Sequence, residues 1–182
     1  MKKFFIGIPL ENSIKKKIVA WKLSHLIQFP EISWKNYYDL HITVIPPFMG
    51  DTEIAAQILK EIPKKFSSFK VTFKKIEFGP RKAHPRLIWI KSAEIKKLNL
   101  LKHYLKDVYP SLPKTERPFL THISIARFHS SLFNSFLQKN LDDKVSWSTS
   151  VSKLSVYETG LNTNKGRRYR ILDTVILPES QD

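Results

Sequence analysis

The chain has 182 residues, 42% of them apolar and 12% aromatic, with 31 Lys and Arg against 16 Asp and Glu and a formal net charge of +15. That composition excludes a disordered chain and suits one domain with a packed interior. The positive excess favours a polyanionic partner, most simply nucleic acid. No cysteine is present, which excludes disulfides, a thiol nucleophile and Cys-ligated zinc.

No run approaches the roughly 18 apolar residues of a membrane span. The apolar run after Met1-Lys2-Lys3 stops at Glu11 with no small-residue cleavage site. It reads as a first strand over 4–10 rather than a signal peptide, so a cytoplasmic protein with no membrane partner is expected. Ile14, Ile18 and Trp21 carry helical spacing, predicting a helix over 11–29 that Pro30 ends. A strand from His41 follows and runs into Pro46-Pro47. Asp51 or Thr52 can cap a helix reaching about residue 66, which Pro63 should shorten or kink. Residues 71–78 read as a strand closed by Gly79-Pro80.

The second half repeats this order. A strand over 87–91 leads to a helix over 93–109, with Leu98, Leu101 and Leu105 on one stripe and Pro110 as its stop. A strand from His122 follows, then a helix over 131–141, a strand over 153–158 closed by Gly160, and a last strand over 168–177. Ile6 precedes His41 by 35 residues and Ile88 precedes His122 by 34; Gly79 and Gly160 each follow their histidine by 38. These registers imply an internal duplication, with approximate halves 1–80 and 81–182 of a single domain. A pseudo-two-fold pair of lobes would then face a shared groove.

The duplicated segments are His41-Ile42-Thr43-Val44 and His122-Ile123-Ser124-Ile125. Period-two alternation makes each a half-buried strand, with His41 and Thr43 on one face, His122 and Ser124 on another, and the aliphatic residues turned to a core. One such histidine is ordinarily a satisfied strand residue; two in register are the strongest functional signal in the chain. Two imidazoles can accept and donate a proton near neutrality, and two hydroxyls can hold phosphate oxygens. In-line opening of a ribose 2′,3′-cyclic phosphate needs these parts, placed on opposite sides of phosphorus. It needs no cofactor and no metal, and the zinc patterns H-x-H and H-E-x-x-H are absent from the sequence.

The other histidines read as ordinary. His25 and His103 fall on predicted helices, and only His84 and His129 are placed for ligand contact. Asp39 could orient an imidazole but reads as solvated. Strict alternation turns Arg127 away from His122, and a bulge would return it to the groove as a bidentate phosphate clamp. The basic loops 79–85 and 162–168 are candidates to flank a nucleic-acid groove.

At these residues the chain resembles the 2H phosphoesterase superfamily, named for two H-x-[ST]-x motifs. Within it, the whole length resembles the RNA 2′,3′-cyclic phosphodiesterases, also called 2′-5′ RNA ligase or LigT-like proteins. The resemblance is carried by the segments FFIGIPL, HITVIPPFMGD, RLIWI, PFLTHISIARF and KLSVYETG, and runs on to Tyr169. It implies an α+β, bilobal fold: two pseudo-two-fold-related lobes with antiparallel sheets lining a central groove and helices outside. It implies hydrolysis of an RNA 2′,3′-cyclic phosphate end to a 2′-phosphomonoester, with reverse 2′-5′ ligation allowed. On that pattern His41 is the acid toward the 3′ oxygen and His122 the base toward water, roles that pseudo-symmetry could exchange. Thr43 and Ser124 match the phosphate-binding hydroxyls, Arg127 an arginine after the second motif, and Phe119 an aromatic that stacks on a base. The pattern departs at Pro46-Pro47, which delays the Phe48-Met49-Gly50 turn, and at Thr121 where proline is common. Other substrates in the same chemistry are 2′-5′-linked oligonucleotides and small cyclic nucleotide phosphates. A non-catalytic RNA-end-binding module is the rival class. A monomer is expected.

Overall fold

The computed structural model describes residues 2–109, 112–113, 120–160 and 168–180, the side chains of 52, 54 and 55 excepted. Among these, the strands are β1 (Lys2–Pro9), β2 (Ser33–Trp34), β3 (His41–Gly50), β4 (Phe69–Gly79), β5 (Leu87–Ser92), β6 (His122–Arg127), β7 (Asp142–Val151), β8 (Lys153–Thr159) and β9 (Tyr169–Ile176). The helices are α1 (Asn12–Ser24), α2 (Thr52–Glu61) and α3 (Lys96–Val108). The strand order is β7-β4-β5-β6-β3-β1-β8-β9, with β2 on β6, and the pairings are antiparallel. This is the α+β fold expected from the sequence.

The order divides at β3 and β6, which meet through one Cα pair, Ile42 with Ile123. On each side lies a four-stranded sheet with the same internal pattern, β3-β1-β8-β9 and β6-β5-β4-β7. β4 belongs by sequence to the first half yet pairs with β5 of the second, while β8 of the second half pairs with β1 of the first. The third strand of each unit is thus exchanged. Ile6 pairs with Ile45 and Val156; Ile88 pairs with Ala126 and Phe78. Ile6 and Ile88 are therefore true equivalents. Gly79 and Gly160 are not: Gly79 faces Leu87, and the matching place opposite Phe5 is held by Tyr157.

Apolar stripes explain the helices. Ile14, Ile18 and Trp21 of α1 and Leu98, Leu101 and Leu105 of α3 enter one core with Ile42, Val44, Ile123 and Ile125. Asp51 caps α2 through the Glu53 N–H at 3.3 Å, and Pro63 confines the chain beyond it to a single 3₁₀ turn, Ile62–Lys64.

Four expectations need correction. α1 stops at Ser24 rather than near 29, because its stripe ends at Trp21: Leu23 and Ile27 are exposed, while Phe29 packs against Phe78 and Phe136 instead. The segment expected as a helix over 131–141 is a 3₁₀ stretch, Ser130–Ser135, whose Phe133 joins Phe136 and Phe78 in that aromatic cluster. β3 does not end at the prolines but passes through them to Gly50. Phe4 pairs with Phe48 and Ile6 with Ile45, so the Pro46-Pro47 pair sits at a bulge where a missing N–H is tolerated. β7 has no counterpart among the expected strands, although Val145, Trp147, Thr149 and Val151 alternate along it.

Candidate active site

The two motifs are aimed by one backbone device, built twice. Gly7 pairs with Thr43 and Ile6 with Ile45, leaving Val44 as an extra residue in β3. Trp89 pairs with Ser124 and Ile88 with Ala126, leaving Ile125 as an extra residue in β6. Each bulge falls three residues after the histidine. Before it, His and hydroxyl face the groove; after it, the parity inverts and Ala126 turns inward while Arg127 turns out. The bulge is the feature that returns Arg127 to the groove.

The groove holds about 830 Å³, and His41, Thr43, His122, Ser124 and Arg127 all line it. Phe119 lies outside the described residues, as does most of the 162–168 loop. His84 and the rest of the 79–85 loop are not among the lining residues, and His129 instead accepts from the Ser131 N–H at the start of the 3₁₀ stretch.

Both imidazoles are clamped alike. Nδ1 of His41 donates to the Asp39 carbonyl at 2.7 Å, and Nδ1 of His122 donates to the Leu120 carbonyl at 2.7 Å. That bond fixes the tautomer, so each Nε2 is left as an acceptor toward the groove. The Thr43 hydroxyl lies 3.1 Å from Nε2 of His41. His41 is walled by Phe5, Tyr157 and Tyr169, at ring separations of 4.6, 5.4 and 5.2 Å. His122 lies under Trp89 at 4.8 Å. Gly79 makes room for that indole, because a Cβ there would overlap it. Burial pushes His41 down to about 4, with Lys35, His122 and Arg127 adding charge repulsion and the Asp39 carbonyl opposing. Burial also lowers His122, with Arg127 adding to it.

Asp39 is not solvated as its sequence setting suggested. It is buried, and its carboxylate accepts the Arg168 N–H at 3.1 Å. It thereby fastens the start of β9 beside His41. Lys3, Lys35, Arg127 and Arg168 line the groove with Asp39 as its one carboxylate among the described residues, giving it a positive field suited to phosphate. Lys35 escaped the sequence reading. Its place beside the site depends on β2 pairing with β6, a two-residue ladder that no periodicity announces. Among the described residues, no group of three or more His, Asp or Glu is placed to hold a metal ion, and no helix is long and apolar enough to cross a membrane.

Two antiparallel sheets presenting paired His and hydroxyl residues define the class of the protein by architecture: the LigT-like phosphoesterase fold. Similar solved structures cover almost the whole chain. They include TT0787 of Thermus thermophilus (TM-score 0.78, 15% identity, 98% of this chain and 100% of that one). A second, described as a phosphoesterase, has TM-score 0.73 at 21% identity, with 98% and 99% covered. A third is E. coli LigT complexed with 3′-AMP (TM-score 0.72, 20% identity, 97% and 98% covered). No curated protein matches the chain by sequence. The family model of the 2′-5′ RNA ligase superfamily matches residues 29–163, both motifs included. The chain belongs to the 2′-5′ RNA ligase superfamily, and so to the enzymes that act on phosphodiester bonds.

Proposed function

We infer that the groove hydrolyses the 2′,3′-cyclic phosphate end of RNA to a 2′-phosphomonoester by two-histidine acid–base catalysis. One observation carries this reading: both Nδ1 atoms are held by carbonyls two residues upstream, so two Nε2 atoms and two hydroxyls converge on one basic groove. A water attacks phosphorus and gives its proton to one imidazole. The P–O3′ bond breaks, and the other imidazole protonates the departing oxygen. Thr43 and Ser124 donate to the non-bridging oxygens, and Arg127 adds a charged clamp. The family pattern gives His122 the water and His41 the 3′ oxygen; the near-symmetric geometry accommodates either direction. Microscopic reversibility allows 2′-5′ ligation. The binding of 3′-AMP by LigT supports a nucleotide end as the ligand class, and the +15 charge supports RNA.

The test is a short RNA ending in a 2′,3′-cyclic phosphate, incubated with the protein in EDTA, with 2′- and 3′-phosphate products resolved. A 2′-phosphate is expected, lost in His41→Ala and His122→Ala. No turnover of this end, or a loss in EDTA that zinc restores, would overturn the reading. Turnover of 2′-5′-linked oligonucleotides alone would move the substrate within the same chemistry.

A further inference from the structure

Lys35 is 7% exposed, yet among the described residues no carboxylate lies within ion-pair distance of its ammonium. Its Nζ donates to the Tyr169 hydroxyl at 2.7 Å and lies 4.7 Å from the centre of that ring. Tyr169 in turn packs edge-on against His41 at 5.2 Å. The backbone is held just as firmly: the Lys35 N–H donates at 2.8 Å to the carbonyl of Ile125, the bulge residue of the second motif. One residue is therefore tied by its main chain to the His122 motif and by its side chain to the wall of His41. It lines the same groove as both.

Among the described residues, the Lys35 ammonium at the groove wall meets a neutral hydroxyl and no carboxylate. An anion that arrives with the ligand would complete its pairing. We propose that Lys35 is a catalytic residue that contacts the phosphoryl group between the two histidines and stabilises the charge it gains in the transition state, with Tyr169 holding the ammonium in place. The inference rests on the phosphodiesterase reading above. It gives the reaction a cation that neither motif supplies and that the duplication does not repeat: the place is filled once, from the residue after β2. Lys35 also joins the groups that face His41. Lys35, His122 and Arg127 oppose its protonation, the Asp39 carbonyl favours it, and Phe5, Tyr157 and Tyr169 enclose it.

The experiment compares Lys35→Met, Lys35→Arg and Tyr169→Phe with the intact chain. It measures the dissociation constant of inorganic phosphate, kcat/KM on the cyclic end, and the pH of the acidic limb. Lys35→Met should weaken phosphate about tenfold and lower kcat/KM about a hundredfold, the usual loss for one charge-stabilising donor. It should also move the acidic limb to higher pH, since a repelling charge beside His41 is gone. Lys35→Arg should restore most of the phosphate affinity. Tyr169→Phe, which keeps the ammonium but frees it, should weaken phosphate a few-fold and serves if Lys35→Met fails to fold. Phosphate affinity within twofold of the intact chain in both Lys35→Met and Tyr169→Phe would overturn the proposal. So would a fall in rate with an unmoved acidic limb, which marks a structural role. If the intact chain turns over no cyclic end, the substrate reading fails by itself, and the phosphate arm still decides Lys35.

Discussion

The environments of His41 and His122 are copies in backbone and unlike in packing. Both histidines precede a bulge by three residues, and both give Nδ1 to a carbonyl two residues back. Their neighbours have diverged. His41 sits among three aromatic rings, with a tyrosine-held lysine behind one of them. His122 sits beneath one indole, whose Nε1 donates to Glu77 at 3.3 Å. The difference teaches where each property resides. Aim is set by the ladder, which has the same bulge on both sides. Proton affinity is set by side-chain packing, which can drift on each side without disturbing the aim. Acid–base catalysis needs both: two imidazoles pointed alike but unequal in basicity.

The largest effects should come from the feature the two sides share. His41→Ala and His122→Ala should each lower kcat by about a thousandfold, and the comparison breaks if one of them leaves turnover near that of the intact chain. The hydroxyls come next. Thr43→Val and Ser124→Ala should each lower kcat/KM by up to about a hundredfold. Only Thr43 lies within hydrogen-bond distance of its own histidine in the resting site, so only Thr43→Val should also move the pH profile. Equal shifts in both variants would mean that the resting contact at His41 has no consequence.

A smaller effect tests the packing that crosses between halves. Gly79, from the first half, makes room for Trp89, which covers His122. Gly79→Ala should displace the indole and cost about 1–3 kcal/mol in stability, as overpacking of a filled site does. The displaced cover should lower kcat about tenfold. Trp89→Phe, which keeps a ring over His122 but drops the Glu77 bond, should lower kcat by less. A Gly79→Ala chain with normal melting and normal turnover would show that the cover over His122 is dispensable.

The parts of this site that were legible in the sequence are those that depend on neighbours along the chain. Alternation alone placed His41 with Thr43 and His122 with Ser124 on shared faces, and the 35- and 34-residue spacings correctly matched Ile6 to Ile88. What depends on pairing was hidden. Alternation argued against Arg127, and only the bulge at Ile125 brings it back. The matched glycine spacing suggested an equivalence that strand exchange does not honour. Asp39 read as solvated and Lys35 drew no notice, because burial of a charged side chain is decided by segments distant in the chain, here the Arg168 N–H for Asp39 and the β6 backbone and Tyr169 for Lys35. The Ser- and Thr-rich β7 lacked the aliphatic weight that marked the other strands, although its alternation was present.

The last prediction concerns the position of the pH optimum, and it separates the two histidines most finely. Folding lowers the proton affinity of both, His41 to about 4 and His122 also below its ordinary 6.5, each chiefly by burial. On the proposed two-histidine mechanism, the free enzyme is competent when the pair carries one proton, with the acid charged and the base neutral. That form is populated between the two affinities of the pair. The kcat/KM profile should therefore be bell-shaped and lie on the acid side of pH 6.5. It falls as pH rises because the pair loses its one proton, and falls near pH 4 because the pair takes up a second. A bound phosphate anion favours the charged imidazole, so the descending limb of kcat should lie at higher pH than that of kcat/KM. Lys35→Met, which removes a charge from the His41 side only, should raise the lower limb and leave the upper one in place. A kcat/KM maximum near pH 8 would mean that neither burial nor the lysine sets the basicity of the pair. Movement of both limbs together would mean that the two imidazoles share one field, and that their different surroundings do not divide the work between them.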